Sequence, residues 1–282
     1  MLSSTPAPQA DLGPANPSVE AKPRLLMVCG HPRSGTTMLT QLLDSHPQIK
    51  LTYELHTFLG VGKPLRKHLR LLRRRNRWRL PPVRTRGARK RWPSKLASAV
   101  FLVRYALGLA LQRRNPIDLD SMRRVLRGIF PWAQVVGDKY PRYVFRLDRF
   151  AAEPDLLIVV IYRDARDVVR SSIEQAKRGW RRTSFGDRLS SPESAAKSWV
   201  KAIESMERNL EHIHVVRYED IVRQPETALR DLGHYLGVDP GGFTSSIIKQ
   251  DRVGKHKQGL SEADQTVVMK VAGDAMRRQG YL

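Results

Sequence analysis

The stretch "LLMVCGHPRSGTTMLTQLLDSHP", Leu25 to Pro47, decides the fold. It begins as a short apolar run ending in Gly30, the form of a strand buried in a parallel sheet. It ends with helical spacing, in which Met38, Leu39, Leu42 and Leu43 share one face. Between the two lie Gly30, four residues, Gly35, and the hydroxyl pair Thr36 and Thr37. That is the spacing of a phosphate-binding loop, with Thr36 where a nucleotide-triphosphate loop has lysine. Backbone amides freed by the glycines, and the positive end of the helix beginning near Thr36, can together hold a phosphate or a sulfate. A glycine turn with no ligand is the plainer reading of two spaced glycines. The Arg33, Ser34, Thr36 and Thr37 side chains in the same turn favour anion binding.

Outward from this unit the pattern repeats. "DLLIVVIYRD" reads as a second apolar strand, Asp155 to Tyr162, with "ARDVVRSSIEQAKR" as the helix after it. "HIHVVRYED" reads as a third strand followed by the helix "PETALRDLGHYLG", "QVVGDK" as a fourth strand, and "IKL" as a short one after the first helix. Strands alternating with helices predict an α/β fold of the P-loop type: three layers, a central parallel sheet flanked by helices. Ligands of such sheets sit at the carboxyl ends of the strands. The polar clusters "GHPRSGTT", "GDKYPR", "YRDARDVVRSS" and "RYED" all begin where a strand ends.

The 282 residues suffice for one sizeable domain. Residues 1–23 hold five prolines and no apolar run, and read as a disordered tail without the features of a secretory signal. Residues 24–282 read as one α/β domain with a basic helical insert at about 60–117. Cys29 is the one cysteine, which excludes an internal disulfide and fits a cytoplasmic compartment.

The net charge of +23 is unevenly placed. From Leu55 to Ile117 there is no Asp or Glu, against 18 Lys and Arg, which leaves about +5 for the remainder. Such a segment should meet an anionic partner. Its aromatics (Phe58, Trp78, Trp92, Phe101, Tyr105) show no stacking pattern, so nucleic acid is not the expected one. The expected partner is an acidic membrane surface, met through the basic 63–95 segment at the inner face of the membrane, or an acceptor that already carries acidic groups. "KLASAVFLVRYALGLALQ" follows the cluster, and Arg104 in its middle favours a buried or amphipathic helix over a spanning one.

A second anion site is expected at "YRDARDVVRSS". Asp164 can cap the helix, and Asp167 suits its first turn. Arg163 beside a helix N-terminus is unfavourable unless an anion neutralises it. Taken in order, "PRSGTTML", "DSHP", "RDARDVVRS" and "RYEDIVRQPE" resemble the sulfotransferase superfamily, most nearly its bacterial and carbohydrate- and tyrosylprotein-type branch. These enzymes use 3′-phosphoadenosine 5′-phosphosulfate, PAPS. The resemblance implies that Arg33, Ser34, Gly35, Thr36 and Thr37 form the 5′-phosphosulfate loop, and that Arg163 and Ser171 contact the 3′-phosphate. The family often carries lysine near the position of Arg33; arginine keeps the charge and changes the geometry. "RVGKHKQGL" is similar to the basic loop that closes over the cofactor, with Arg252 and Lys255 as candidate contacts.

Sulfuryl transfer needs an in-line acceptor oxygen, a base for its proton, and charge neutralisation on the leaving oxygen. Glu54 lies just beyond "IKL" and is the last acid before the acid-free stretch, so it reads either as the base or as a counter-ion for nearby arginines. Its "ELHTF" context is similar to that of the glutamate base in carbohydrate sulfotransferases, with His56 as second candidate or orienting partner. Lys139 resembles a family lysine that faces the reaction centre. The acceptor is expected to be a small molecule, lipid or carbohydrate with a hydroxyl, and a tyrosine hydroxyl or an amine stays open as well. No His/Cys cluster has metal-ligand spacing, so no metal is expected. Two other readings compete. A P-loop phosphotransferase should have lysine at position 36 and an Asp ending a strand beside the loop to hold magnesium. A non-enzymatic binder of nucleic acid or anionic surfaces would leave both anion motifs idle.

Overall fold

The computed structural model describes residues 23–75, 94–178, 189–249 and 253–282. The proposed tail, part of the basic insert and Arg252 lie outside the described residues.

Five strands form one parallel sheet: β1 (Arg24–Cys29), β2 (Ile49–Tyr53), β3 (Val135–Lys139), β4 (Leu156–Tyr162) and β5 (His214–Arg217), in the order β2-β3-β1-β4-β5. β1 is central, with Leu25 beside Val136 on one side and Leu156 on the other. Its near-continuous apolar run follows from burial on both faces. Successive side chains enter opposite layers. Leu25, Met27 and Cys29 join one core, and Leu26 and Val28 the other.

The Leu26 layer is built by α1 (Thr36–Ser45), whose Leu39, Leu42 and Leu43 are fully buried, with the later helices Tyr218–Arg223 and Pro225–Leu236. The Leu25 layer takes the rest. Its helices are α2 (Leu65–Arg75), α3 (Ser94–Leu111), α4 (Leu119–Ile129), α5 (Ala165–Arg178) and α6 (Pro192–Glu207). In this numbering Tyr218–Arg223 is α7 and Pro225–Leu236 is α8, and the chain ends in α9 (Glu262–Arg278), which also belongs to the Leu25 layer. The three layers are those expected from the alternating pattern. No helix among the described residues is long and apolar enough to cross a membrane. "KLASAVFLVRYALGLALQ" forms most of α3, which buries Phe101, Tyr105 and Leu109 on one side.

The sheet order places the chemistry. Along its carboxyl edge, from β2 to β5, stand Glu54, Lys139, the Gly30–Thr37 loop, Arg163 and Tyr218.

Candidate active site

The loop after β1 is shaped by backbone conformations that its sequence allows. Gly30 and Gly35 have φ of 151° and 98°. A Cβ on Gly30 would lie 2.1 Å from the Ile161 carbonyl oxygen, and one on Gly35 would lie 2.4 Å from the Tyr218 ring. Arg33 itself adopts φ 76°, left-handed for a non-glycine residue. α1 begins on Gly35 with no side-chain cap and no acid in its first turn. The helix supplies no anionic side chain of its own to its N-terminal amides, and such an end attracts an anion. Ser34 is fully buried, and its Oγ makes no hydrogen bond among the described residues. A buried hydroxyl without a partner in an open-ended loop fits a phosphate or sulfate oxygen as its missing partner.

Arg33 joins this loop to α5: its Nε donates to Ser171 Oγ at 2.9 Å. Burial, and then the charge of Arg163, push the Arg33 guanidinium below its usual range, against the pull of Glu174. Two guanidiniums thus share one neighbourhood, which an anion between them would relieve.

Arg163 follows β4 and is nearly buried. Its guanidinium lies 4.5 Å from the centre of the Tyr218 ring, the ring that also abuts Gly35. Its Nη2 donates to Asp167 Oδ2 at 2.6 Å. The structure therefore supplies from within the chain the neutralising anion that the sequence argument sought outside it. Asp164 caps α5 as expected, accepting from Arg166 N at 2.8 Å.

Asp167 does more than suit the helix dipole. It accepts from Gly254 N at 2.9 Å, from His256 N at 2.7 Å and from His256 Nδ1 at 2.9 Å. Burial would raise its carboxyl; the Arg163 charge and the hydrogen bonds from His256 and Arg163 outweigh burial and hold it below the usual carboxylate range. The carboxylate thus pins the C-terminal loop to α5. Lys255 begins the 3-10 turn Lys255–Gln258 of that loop, between the two residues whose amides bond Asp167.

On the other side of the loop, Glu54 and Lys139 meet. Lys139 Nζ donates to Glu54 Oε1 at 2.9 Å, and Glu54 N donates to the Lys139 carbonyl at 2.7 Å. The lysine side chain is 3% exposed and the glutamate side chain 30%, so the carboxylate is the member that reaches solvent. Glu54 and His56 both hold left-handed φ, 56° and 60°. His56 is buried with its ring centre 3.9 Å from that of Tyr140.

The sequence-predicted residues thus form two adjoining groups. Glu54, Lys139 and His56 stand at the ends of β2 and β3; Arg33, Ser171 and Arg163 gather where the β1 loop meets α5, and the backbone on either side of Lys255 is bonded there through Asp167. A sequence profile of the sulfotransferase family matches residues 23–240. The chain belongs to the sulfotransferase family. Two solved structures share the fold. One is the sulfotransferase domain from the curacin biosynthetic pathway: 16% identity, TM-score 0.50, covering 90% of this chain and 97% of that one. The other is the sulfotransferase domain of the Synechococcus PCC 7002 olefin synthase: 17% identity, TM-score 0.50, covering 90% and 94%.

Sequence reasoning missed the residue beneath this sulfotransferase's Glu54 turn. Asp138, on β3, is fully buried. Its Oδ1 accepts from Thr52 Oγ1 at 2.7 Å and Leu55 N at 3.2 Å, and its Oδ2 from Tyr143 Oη at 2.7 Å and Thr57 N at 3.3 Å. It therefore ties down the backbone amide that follows each of the two left-handed residues. Burial lifts its carboxyl to about 6, and the four hydrogen bonds restrain the rise. The signal was present in "QVVGDK", where an acid stands at an interior strand position. Asp138 is also the carboxylate near a strand end that a phosphotransferase would need beside the loop; both its oxygens are committed to the turn. Among the described residues no group of His, Cys, Asp and Glu is placed to hold a metal ion.

Proposed function

We propose that this sulfotransferase moves a sulfuryl group from PAPS to an acceptor hydroxyl by in-line displacement, with Glu54 as general base. The observation that carries the reading is the Arg33–Ser171 hydrogen bond of 2.9 Å. It joins the loop after β1 to the helix after β4, so that the two expected anion sites adjoin. PAPS supplies the activated sulfuryl group.

The chain's residues divide the work. The amides of the Gly30–Thr37 loop, with Ser34, Thr36 and Thr37, hold the 5′ end, and Arg163, Ser171 and Lys255 the 3′ end. Arg252 belongs to the same basic loop. Lys139 keeps a buried positive charge against Glu54, orients its carboxylate, and stabilises negative charge at the transfer site. Glu54 accepts the acceptor's proton at its solvent-facing carboxylate, and His56 walls the acceptor side with Tyr140. The acceptor is the hydroxyl of a small molecule, carbohydrate or lipid.

Thermal shift separates this reading from its competitors. Adenosine 3′,5′-bisphosphate should raise the melting temperature at micromolar concentration. ATP with magnesium and a short DNA duplex should raise it much less. A larger shift with ATP and magnesium would favour phosphoryl transfer, and one with the duplex a nucleic-acid binder.

A further inference from the structure

α3 has two opposite faces. Opposite the buried Phe101, Tyr105 and Leu109, it exposes Val100, Val103, Leu107 and Leu111 by 47, 57, 59 and 79%. At about 100° per residue these four fall within an arc of ~80°, so they form one stripe along the helix. Trp132, also exposed, is linked to the buried face of α3 and not to the stripe. Phe101 stacks on Phe130 at 5.8 Å, and Phe130 meets Trp132 edge-on at 6.3 Å.

The charge around the stripe has one dominant sign. α2 packs on the buried side of α3, away from the stripe, with Tyr105 Oη 3.3 Å from His68 Nε2. Arg113 and Arg114 are exposed just beyond the end of α3. Arg104 lies beside the stripe and bonds the Gly128 carbonyl at 3.1 Å. The nearest acids in sequence are already engaged: Asp118 caps α4 through Ser121 N, and Asp120 pairs with Arg123.

We propose that this face docks the protein on an anionic lipid bilayer. The stripe enters the boundary between headgroups and acyl chains, and the cations of the chain after α3 meet the acidic headgroups. A second copy of the chain is a poorer occupant, because apposing two such faces brings like charges together. Nucleic acid would use the cations and leave four aliphatic side chains without a partner. The inference does not depend on the reading of the cleft, since lipid binding needs neither nucleotide nor turnover.

The test is co-sedimentation of the full chain with vesicles of phosphatidylcholine alone and of phosphatidylcholine mixed with phosphatidylglycerol, at low and high salt. Binding should occur on the acidic vesicles only and weaken with salt. The triple variant Val103→Ser, Leu107→Ser, Leu111→Ser should lose affinity at least tenfold while its melting temperature stays unchanged. Absence of binding to acidic vesicles at low salt would overturn the proposal. So would wild-type binding by the triple variant, since the stripe would then play no part. A lowered melting temperature with unchanged lipid binding would assign the stripe to contacts within the chain. Sedimentation showing a dimer that the triple variant dissolves would assign it to a second copy.

Discussion

Glu54 is held in a conformation that a glutamate rarely adopts. Two left-handed non-glycine residues in three positions cost on the order of 1 kcal/mol or more each, and such strain persists where the surroundings over-determine it. Asp138 and Lys139 supply the constraint, one from beneath the backbone and one on the carboxylate. If Glu54 is the base, Glu54→Gln should lower turnover of PAPS with a panel of hydroxyl acceptors by about 10²–10⁴ and leave nucleotide affinity nearly unchanged. Retained turnover in Glu54→Gln, with loss in His56→Ala, would move the role to His56. Asp138 also makes a prediction on pH. Its carboxyl is at about 6 folded against 3.8 unfolded, so the stability it contributes is full below 3.8 and is lost as pH rises through 6, on the order of 3 kcal/mol. His31 acts oppositely. Burial lowers it to about 4 from 6.5, so its contribution is full above 6.5 and is lost as pH falls through 4, by a similar order. The two offset each other in the wild type. Asp138→Asn should expose the His31 dependence, and its urea-unfolding free energy should rise between pH 4.5 and 6.5. A profile parallel to that of the wild type would contradict the account. The places of the loop residues and of Glu54 at strand ends were legible in the sequence because they sit in local motifs. Asp138 was not, because its role depends on partners more than 80 residues distant.

Elements were legible where local signals were strong. The Asp164 cap and the apolar spacing gave α5 its bounds, and β1 and α1 followed from the glycine turn between them. "RYED" reads as a strand end, yet the chain turns directly into α7 at Tyr218, with Glu219 and Asp220 in its first turn. α6 and α9 were not read from the sequence, although Ser191 with Pro192 and Ser261 cap their starts. They pack on one another in the Leu25 layer, and their reason for being helical is that contact, with Trp199 fully buried and Arg278 paired to Glu207 at 2.9 Å. The C-terminal loop is the element whose attachment is most testable. Three hydrogen bonds reach it from one carboxylate on α5. Asp167→Asn keeps the size and removes the charge. Hydrogen exchange at the Gly254 and His256 amides should quicken at least tenfold while amides of β1 and β4 keep their protection. Unchanged exchange at both amides would mean that other contacts hold the loop.

At the scale of the molecule, the sheet order gathers residues that are far apart in the chain. Glu54, Lys139, Arg33, Arg163 and Tyr218 come from the ends of all five strands, and only the order β2-β3-β1-β4-β5 sets the acid–lysine pair on one side of the loop and the second arginine on the other. The alternation of strands and helices made the three layers readable in advance. The strand order was not readable, since it rests on which apolar runs pair across the sheet. The central claim is that the two basic groups act as one nucleotide site, and calorimetry with adenosine 3′,5′-bisphosphate and with AMP tests it most directly. Each charge-assisted contact is worth roughly 1.5–3 kcal/mol, so the bisphosphate should bind about tenfold to a hundredfold more tightly than AMP. Arg163→Ala should erase most of that preference, and Ser171→Ala, which leaves the Arg163–Asp167 pair intact, should reduce it. Equal affinity of the wild-type protein for the two nucleotides would contradict a site that spans the loop after β1 and the start of α5.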